Sequence, residues 1–215
     1  MLEPDRSRAL EKYRRHAADS DRESALAERL RLWPRTRRRA IARLGLEPGD
    51  VVLDMGCGTG LSFPLIQARI GLEGQLVGID LSPEMLAVAR ERVEARGWPN
   101  ITLIESAADE LDIPVRADAV LFHFTNDILR SPQALDNVFR HVKLGGRVAA
   151  AGDKWAPWWA FPVNLYVWAI ARRYVTTFQG FGRPWSHLVR IVPNLHTEGL
   201  LFGGVYIAWG TVPRE

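Results

Sequence analysis

Ten consecutive residues concentrate the chemistry of this chain: Val51-Val52-Leu53-Asp54-Met55-Gly56-Cys57-Gly58-Thr59-Gly60. An apolar run ends in a loop built on three glycines. Glycine turns tightly and lets a ligand come close to the main chain. The spacing narrows the ligand. A dinucleotide fingerprint needs G-x-G-x-x-G over a helix N-terminus that faces a pyrophosphate. Here the glycines fall at 56, 58 and 60, and no Gly-Lys-Ser/Thr follows to make a phosphate loop. Asp54, two residues before Gly56, would repel an anion and suit a cation. Asp80 ends the next apolar run, where a carboxylate can accept both hydroxyls of a ribose. The ligand should therefore contain a ribose, lack a pyrophosphate and accept acidic surroundings. S-adenosylmethionine has a ribose, an adenine, a cationic sulfonium and an amino-acid end.

The elements that must position these residues follow from periodicity and punctuation. Val51–Leu53 is a short apolar run after the turn Pro48-Gly49-Asp50, as expected of a strand buried on both faces. A helix is predicted from about Ser62 to Ile70 and a strand over Gln75–Asp80. Ser82-Pro83 opens a helix with a serine cap and a proline in the first turn, and Ser131-Pro132 repeats the device. Ile101–Ile104, Ala119–Phe122 and Arg147–Ala151 are the remaining central strands. Strands alternating with helices through short loops predict a parallel sheet. Leu195–Leu201 and Val205–Trp209 flank a glycine turn and read as an antiparallel edge pair. Residues 6–44 read as two helices divided at Pro34, with Gly45 as the stop.

These residues carry a resemblance. The chain resembles the seven-stranded, Rossmann-like methyltransferases that use S-adenosylmethionine. Val51–Gly60 is similar to the first family motif and Val77–Leu86 to the second. Ala107-Ala108-Asp109-Glu110-Leu111 resembles the third, in which an Asp often stands at the place of Ala107. Asp118–Leu121 resembles the fourth strand. His141–Val148 resembles the segment before strand five, with Leu144 in place of a proline. The similarity covers about residues 44–152. It implies an α/β fold: a Rossmann-like, doubly wound, mostly parallel sheet with an antiparallel C-terminal edge, N-terminal helices, and a lid after strand five. The expected organisation is a helical cap over 1–44 and a methyltransferase domain over 45–215, with the lid at about 153–193.

The resemblance also implies roles. Gly56, Cys57, Gly58 and Gly60 would form the loop at the methionine end, with Asp54 on its amino group. Asp80 would take the ribose, Leu81 and Met85 would pack on the adenine, and Ala108 and Asp109 would meet its edge. His123 would lie near the sulfonium. Tyr13 is expected to reach over the cofactor. No metal is expected.

Methyl transfer is an in-line displacement, and the cofactor supplies the activated leaving group. The protein mainly aligns the reactants and excludes water, which can supply about 7–11 kcal/mol of the barrier. His123 and Asp127 are the polar groups placed to act as a base. An Asn/Asp-Pro-Pro-aromatic tetrapeptide, common where exocyclic amines are methylated, is replaced by His123-Phe124-Thr125-Asn126-Asp127. The chain instead resembles the small-molecule members, including quinone and lipid methyltransferases. Trp155 to Ala171 is an uncharged run of seventeen residues. It is short of the ~20 apolar residues of a bilayer span. Trp155, Trp158, Trp159 and Tyr166 in it are expected to line a pocket for an apolar or aromatic acceptor.

Composition sets the outer bounds. The chain has 215 residues, 47% hydrophobic and 25% charged, and one cysteine, so no internal disulfide can form. A reducing, cytoplasmic setting and a monomer or homodimer are expected, with no apolar leader visible at the start. Residues 1–43 hold thirteen Arg/Lys against seven Asp/Glu. That excess leaves open a peripheral contact with anionic membrane, or an RNA methyltransferase reading in which the basic helices hold nucleic acid. No nucleic-acid module is recognisable, so a small-molecule acceptor is preferred over that alternative. A third alternative is a cofactor-binding protein without turnover.

Overall fold

The computed structural model describes residues 33–172, 175 and 177–214. Seven strands form one sheet: β1 (Val51–Met55), β2 (Gln75–Asp80), β3 (Ile101–Glu105), β4 (Ala117–His123), β5 (Val142–Asp153), β6 (His196–Leu200) and β7 (Val205–Thr211). Their order is β3-β2-β1-β4-β5-β7-β6. β1 to β5 run parallel, and β7 pairs antiparallel with both β5 and β6. The helices are α1 (Trp33–Arg43), α2 (Phe63–Ile70), α3 (Pro83–Glu94), α4 (Asn126–Leu129), α5 (Pro132–Phe139) and α6 (Phe161–Ala171). The predicted antiparallel edge pair is present as β6 and β7.

Alternation along the strands builds two cores. Val52, Leu76, Ala119, Leu121, Ala149, Ala151 and Ile207 face one layer, which holds Ile41 and Leu44 of α1, Phe63, Ile66 and Ile70 of α2, and Leu86 of α3. Leu53, Met55, Val77, Ile79, Val120, Phe122, Val148 and Tyr206 face the other, against Leu135 and Val138 of α5 and Leu188 and Val192. Each apolar side chain removed from water in this way contributes roughly 1.5–3 kcal/mol.

Both Ser-Pro helix starts form as predicted. Ser82 Oγ accepts the Met85 N–H and Ser131 Oγ accepts the Ala134 N–H. Pro34 sits in the first turn of α1, and the residues before Trp33, with the helix predicted there, lie outside the described residues. The uncharged aromatic run becomes a 3₁₀ turn at Trp158–Ala160 followed by α6. Among the described residues no helix is long and apolar enough to cross a membrane.

A buried side-chain network fixes the chain after β4. Tyr206 Oη donates to Asn126 Oδ1 at 3.1 Å, and Asn126 Nδ2 donates to the Asp153 carbonyl at 3.1 Å. α4 is thereby tied to the ends of β5 and β7. Phe124, just before it, has φ +60, a left-handed conformation that costs a bulky residue energy.

Candidate functional site

The strand order reverses between β1 and β4, and ligands of open α/β sheets bind beyond the carboxyl ends of strands at such a point. A cavity of about 180 Å³ opens there. Its walls come from the ends of four strands. Met55, Gly56 and Gly58 follow β1; Ile79, Asp80 and Leu81 end β2; Ser106 to Asp109 follow β3; Phe124, Thr125, Asp127 and Ile128 follow β4. Met85, Ser131 and Ala134 complete it.

The three glycines take φ values of +66, +55 and +76, so each sits where a side chain is disfavoured. A Cβ on Gly56 would collide with Thr125 Cγ2, whereas a Cβ on Gly58 would meet nothing within 4 Å. Cys57 N–H donates to Ile79 O at 2.9 Å, which pins the loop across the end of β2. Asp80 joins the two motifs directly. Its Oδ2 accepts the Gly58 N–H at 2.8 Å and its Oδ1 accepts the Ser82 N–H at 2.9 Å. Burial raises the Asp80 pKa, and the N–H groups of Ser82 and Gly58 draw it back. Each carboxylate oxygen keeps acceptor capacity toward the cavity. Those lone pairs, beside a floor without side chains, fit a ribose diol.

Asp54 lies beneath the loop rather than in the cavity lining. Burial pushes its carboxyl up to about 7, the Arg37 guanidinium pulls it down, Asp80 pushes it up again and the Ser62 hydroxyl lowers it. Cys57 packs into the core, where burial and then the charges of Asp80 and Asp54 push its thiol well up. It is thus a poor nucleophile, and only its backbone borders the loop. Gly60 faces the Phe63 ring, 2.6 Å from where its Cβ would stand.

On the opposite wall, Asp127 is paired with Arg130 at 3.1 Å. Arg130 also donates to the carbonyls of Thr177 and Gln179, at 2.6 and 2.9 Å. One guanidinium therefore holds both a cavity carboxylate and the segment beyond α6. His123 is not in the lining. Its ring stands edge-on to Phe124 with centroids 4.7 Å apart, and its buried Nε2 has no hydrogen-bond partner in the structure. Burial, with Arg37 second, holds its pKa well below the usual value, so the imidazole is neutral.

Gly56, Gly58, Asp80, Leu81, Met85, Ala108, Asp109 and Asp127 are thus brought together around one space. Asp54, Cys57, Gly60 and His123 stand behind it. Tyr13 lies outside the described residues. The four aromatic residues expected at the acceptor stand outside the lining. Trp155 stacks on Phe178 and meets Phe181 edge-on. Trp158, Trp159 and Tyr166 point to solvent, because the inner side of α6 is filled by Val163, Val167 and Ala171.

Among the residues that sequence reasoning did not place at the site are Met55, Ile79, Phe124, Thr125, Ile128 and Ala134. One signal could have found Ala134. Met85 and Ala134 occupy the same position, three residues after the cap serine, and both helices open at the carboxyl edge. The repeated Ser-Pro start therefore marks two wall residues.

Comparison with known proteins agrees with this geometry. Residues 52–146 match the family model described as a methyltransferase domain. That segment, which runs from β1 into β5, is similar to methyltransferase domains. A demethylmenaquinone methyltransferase of Symbiobacterium thermophilum is 34% identical over 118 residues, 54% of this chain and 47% of that protein. A 2-phytyl-1,4-naphtoquinone methyltransferase of Nostoc sp. is 30% identical over 124 residues, 55% of this chain and 52% of that protein. The chain thus spans about half the length of these curated relatives. The N-methyltransferase NodS of Bradyrhizobium japonicum, solved with S-adenosyl-L-homocysteine, superposes with a TM-score of 0.68 at 16% identity, covering 95% of this chain and 98% of that one. The methyltransferase domain model ends within β5, and the pairing of β5 with β7 carries the fold past it.

Proposed function

We propose that this chain binds S-adenosylmethionine and transfers its methyl group to a small, apolar acceptor of the quinone or lipid type. One observation carries the reading: Asp80, Gly56 and Gly58 share a single cavity with Asp127 and Ile128 on the facing wall. A nucleoside anchored at the end of β2 then directs its reacting end across β1 toward the chain after β4. The bound cofactor supplies a methyl group already activated on a cationic sulfur.

The protein's part is placement. Asp80 orients the ribose through the lone pairs left by Gly58 and Ser82. Leu81 and Met85 cover the base, and Ala108 and Asp109 border its edge. The Ala108 carbonyl accepts from Asn137 Nδ2 at 3.1 Å, which fixes that turn. Asp54 stands behind the loop, where its carboxyl, when ionised, would favour a cationic group. Phe124, Ile128 and Met55 keep the reacting end apolar and dry. The ion pair with Arg130 orients the Asp127 carboxylate, which takes the proton when the acceptor is a hydroxyl. His123 shapes the wall from behind as a neutral ring. The names of the quinone methyltransferase relatives support the acceptor class.

The test has two arms. Calorimetry with S-adenosylhomocysteine reads binding, and binding should vanish in Asp80→Ala. Mass spectrometry after incubation with deuterated-methyl cofactor and demethylated quinones reads transfer. Binding without a heavy-methyl product from any quinone or lipid acceptor would remove the acceptor class and leave the cofactor site standing.

A further inference from the structure

α6 buries Val167 and Ala171 and leaves Phe161, Leu165, Tyr166 and Trp168 exposed. Val163, Val167 and Ala171 face inward, toward Trp155, Phe178 and Phe181. The outer stripe runs Trp158, Phe161, Leu165 and Trp168, at spacings of three, four and three residues. Its exposures are 88%, 71%, 63% and 43%. Spacings of this kind place side chains on one line along a helix.

A second element adds to the same patch. In the turn Leu201–Gly203, Leu201 and Phe202 take φ values of +49 and +52, and Phe202 is 71% exposed. Two successive non-glycine residues in the left-handed region are costly, and such strain gathers at functional places. This turn adjoins α6. A Cβ on Gly203 would lie 3.0 Å from Pro157 Cδ, and one on Gly204 would press on Val163 and Val167. Strained backbone thus holds an aromatic ring outward from a turn that packs on the inner side of α6.

Charge decides what the patch meets. From Lys154 to Thr197 the sequence has five cations (Lys154, Arg172, Arg173, Arg183 and Arg190) and no Asp or Glu. The rest of the chain is net acidic, since the whole is only +3. The Arg172 guanidinium lies 4.7 Å over the Trp168 ring, at the end of the stripe. A symmetric pairing of this face with a second copy would set cations against cations. Indole rings with a flanking arginine suit the boundary between anionic headgroups and acyl chains.

We propose that the outer face of α6, with Phe202, is a docking surface for an anionic lipid bilayer. The face lies at the same carboxyl edge of the sheet as the cavity, at the junction of β5 and β7. Docking there presents the cavity to the membrane without a spanning segment. The proposal does not depend on the methyl-transfer reading, because its readout is lipid binding.

The full chain is floated with phosphatidylglycerol-containing vesicles and with pure phosphatidylcholine vesicles, in low and moderate salt. The expected result is co-flotation with the anionic vesicles, weakening as salt rises, with a blue shift of tryptophan emission. The double variant Phe161→Ser/Leu165→Ser should lose about tenfold or more of the partitioning. Its melting temperature and S-adenosylhomocysteine affinity should stay at the parent values. Arg172→Glu, a surface change, should weaken the anionic vesicles alone. The proposal is overturned by absence of flotation, or by equal flotation of parent and double variant. It is also overturned by a concentration-dependent dimer that the double variant abolishes, which would assign the face to a second copy.

Discussion

The Asp80 carboxylate accepts the Gly58 N–H at 2.8 Å, so the end of β2 and the bend after β1 are one unit. Its other oxygen caps the turn into α3 through Ser82. Asp80→Ala should therefore do two things. It removes a hydrogen-bonded charge from two backbone donors, and a buried donor left unpaired costs about 1–3 kcal/mol. It also removes the acceptor proposed for the ribose. Calorimetry should show S-adenosylhomocysteine affinity down by about a hundredfold or more, with a lower melting temperature. Asp80→Asn keeps one acceptor oxygen and should fall between the two.

The three glycines are not equivalent. Gly56→Ala should be severe, because its Cβ meets Thr125 and its φ is +66. Gly58→Ala should be mild, because its Cβ meets open space and it bears only the left-handed penalty of about 1–2 kcal/mol. Thr125→Ser, which deletes the colliding methyl, should rescue Gly56→Ala in part. Chemical denaturation and calorimetry on the four proteins check the order.

Stability should fall as pH rises through the range where buried acids hold protons. Burial pushes the Asp153 carboxyl up from 3.8 to about 7. Between those values the folded chain keeps a proton that the unfolded chain has released. The unfolded state is favoured progressively as pH climbs through that window, and the slope levels off above it. Asp54 acts in the same direction. At about 1.4 kcal/mol per unit, Asp153→Asn should flatten the decline in unfolding free energy between about pH 5 and 7, read by urea denaturation, by on the order of a few kcal/mol.

Arg130 links Asp127 to the carbonyls of Thr177 and Gln179. Arg130→Ala should lower kcat by about tenfold or more with the cofactor affinity nearly unchanged, because the cofactor wall stays intact. Arg130→Lys, a point charge that cannot bridge three partners in one plane, should recover little of the loss. Steady-state kinetics with a quinone acceptor, beside calorimetry, separates the two effects.

The fold was legible wherever local chemistry and tertiary need agree. Ser82-Pro83 and Ser131-Pro132 announce their helices, and Val51-Val52-Leu53 announces a strand buried on both faces. The β1 and β2 side of the cavity was legible because the loop needs glycine backbone and the strand end needs an acid. The side after β4 was not. Phe124 lines it from a left-handed conformation that no residue preference signals, and Thr125 reaches it by filling the hollow at Gly56. α6 was hidden for a different reason. Val163, Val167 and Ala171 face in while Phe161, Leu165 and Trp168 face out, so apolar residues occupy every side and no period remains.

Arg39 and Arg43 of α1 both grip Glu198 of β6, at 2.9 and 3.1 Å. Arg43 also lies 4.1 Å over the Trp209 ring. The first described helix is thus a clasp on the last hairpin. Trimming the gene to residues 52–146, the span of the domain match, would unfasten that clasp and bare an edge strand ready to zip onto neighbours. Any shortened form meant to stay dispersed in solution should begin ahead of Trp33 and run through Thr211.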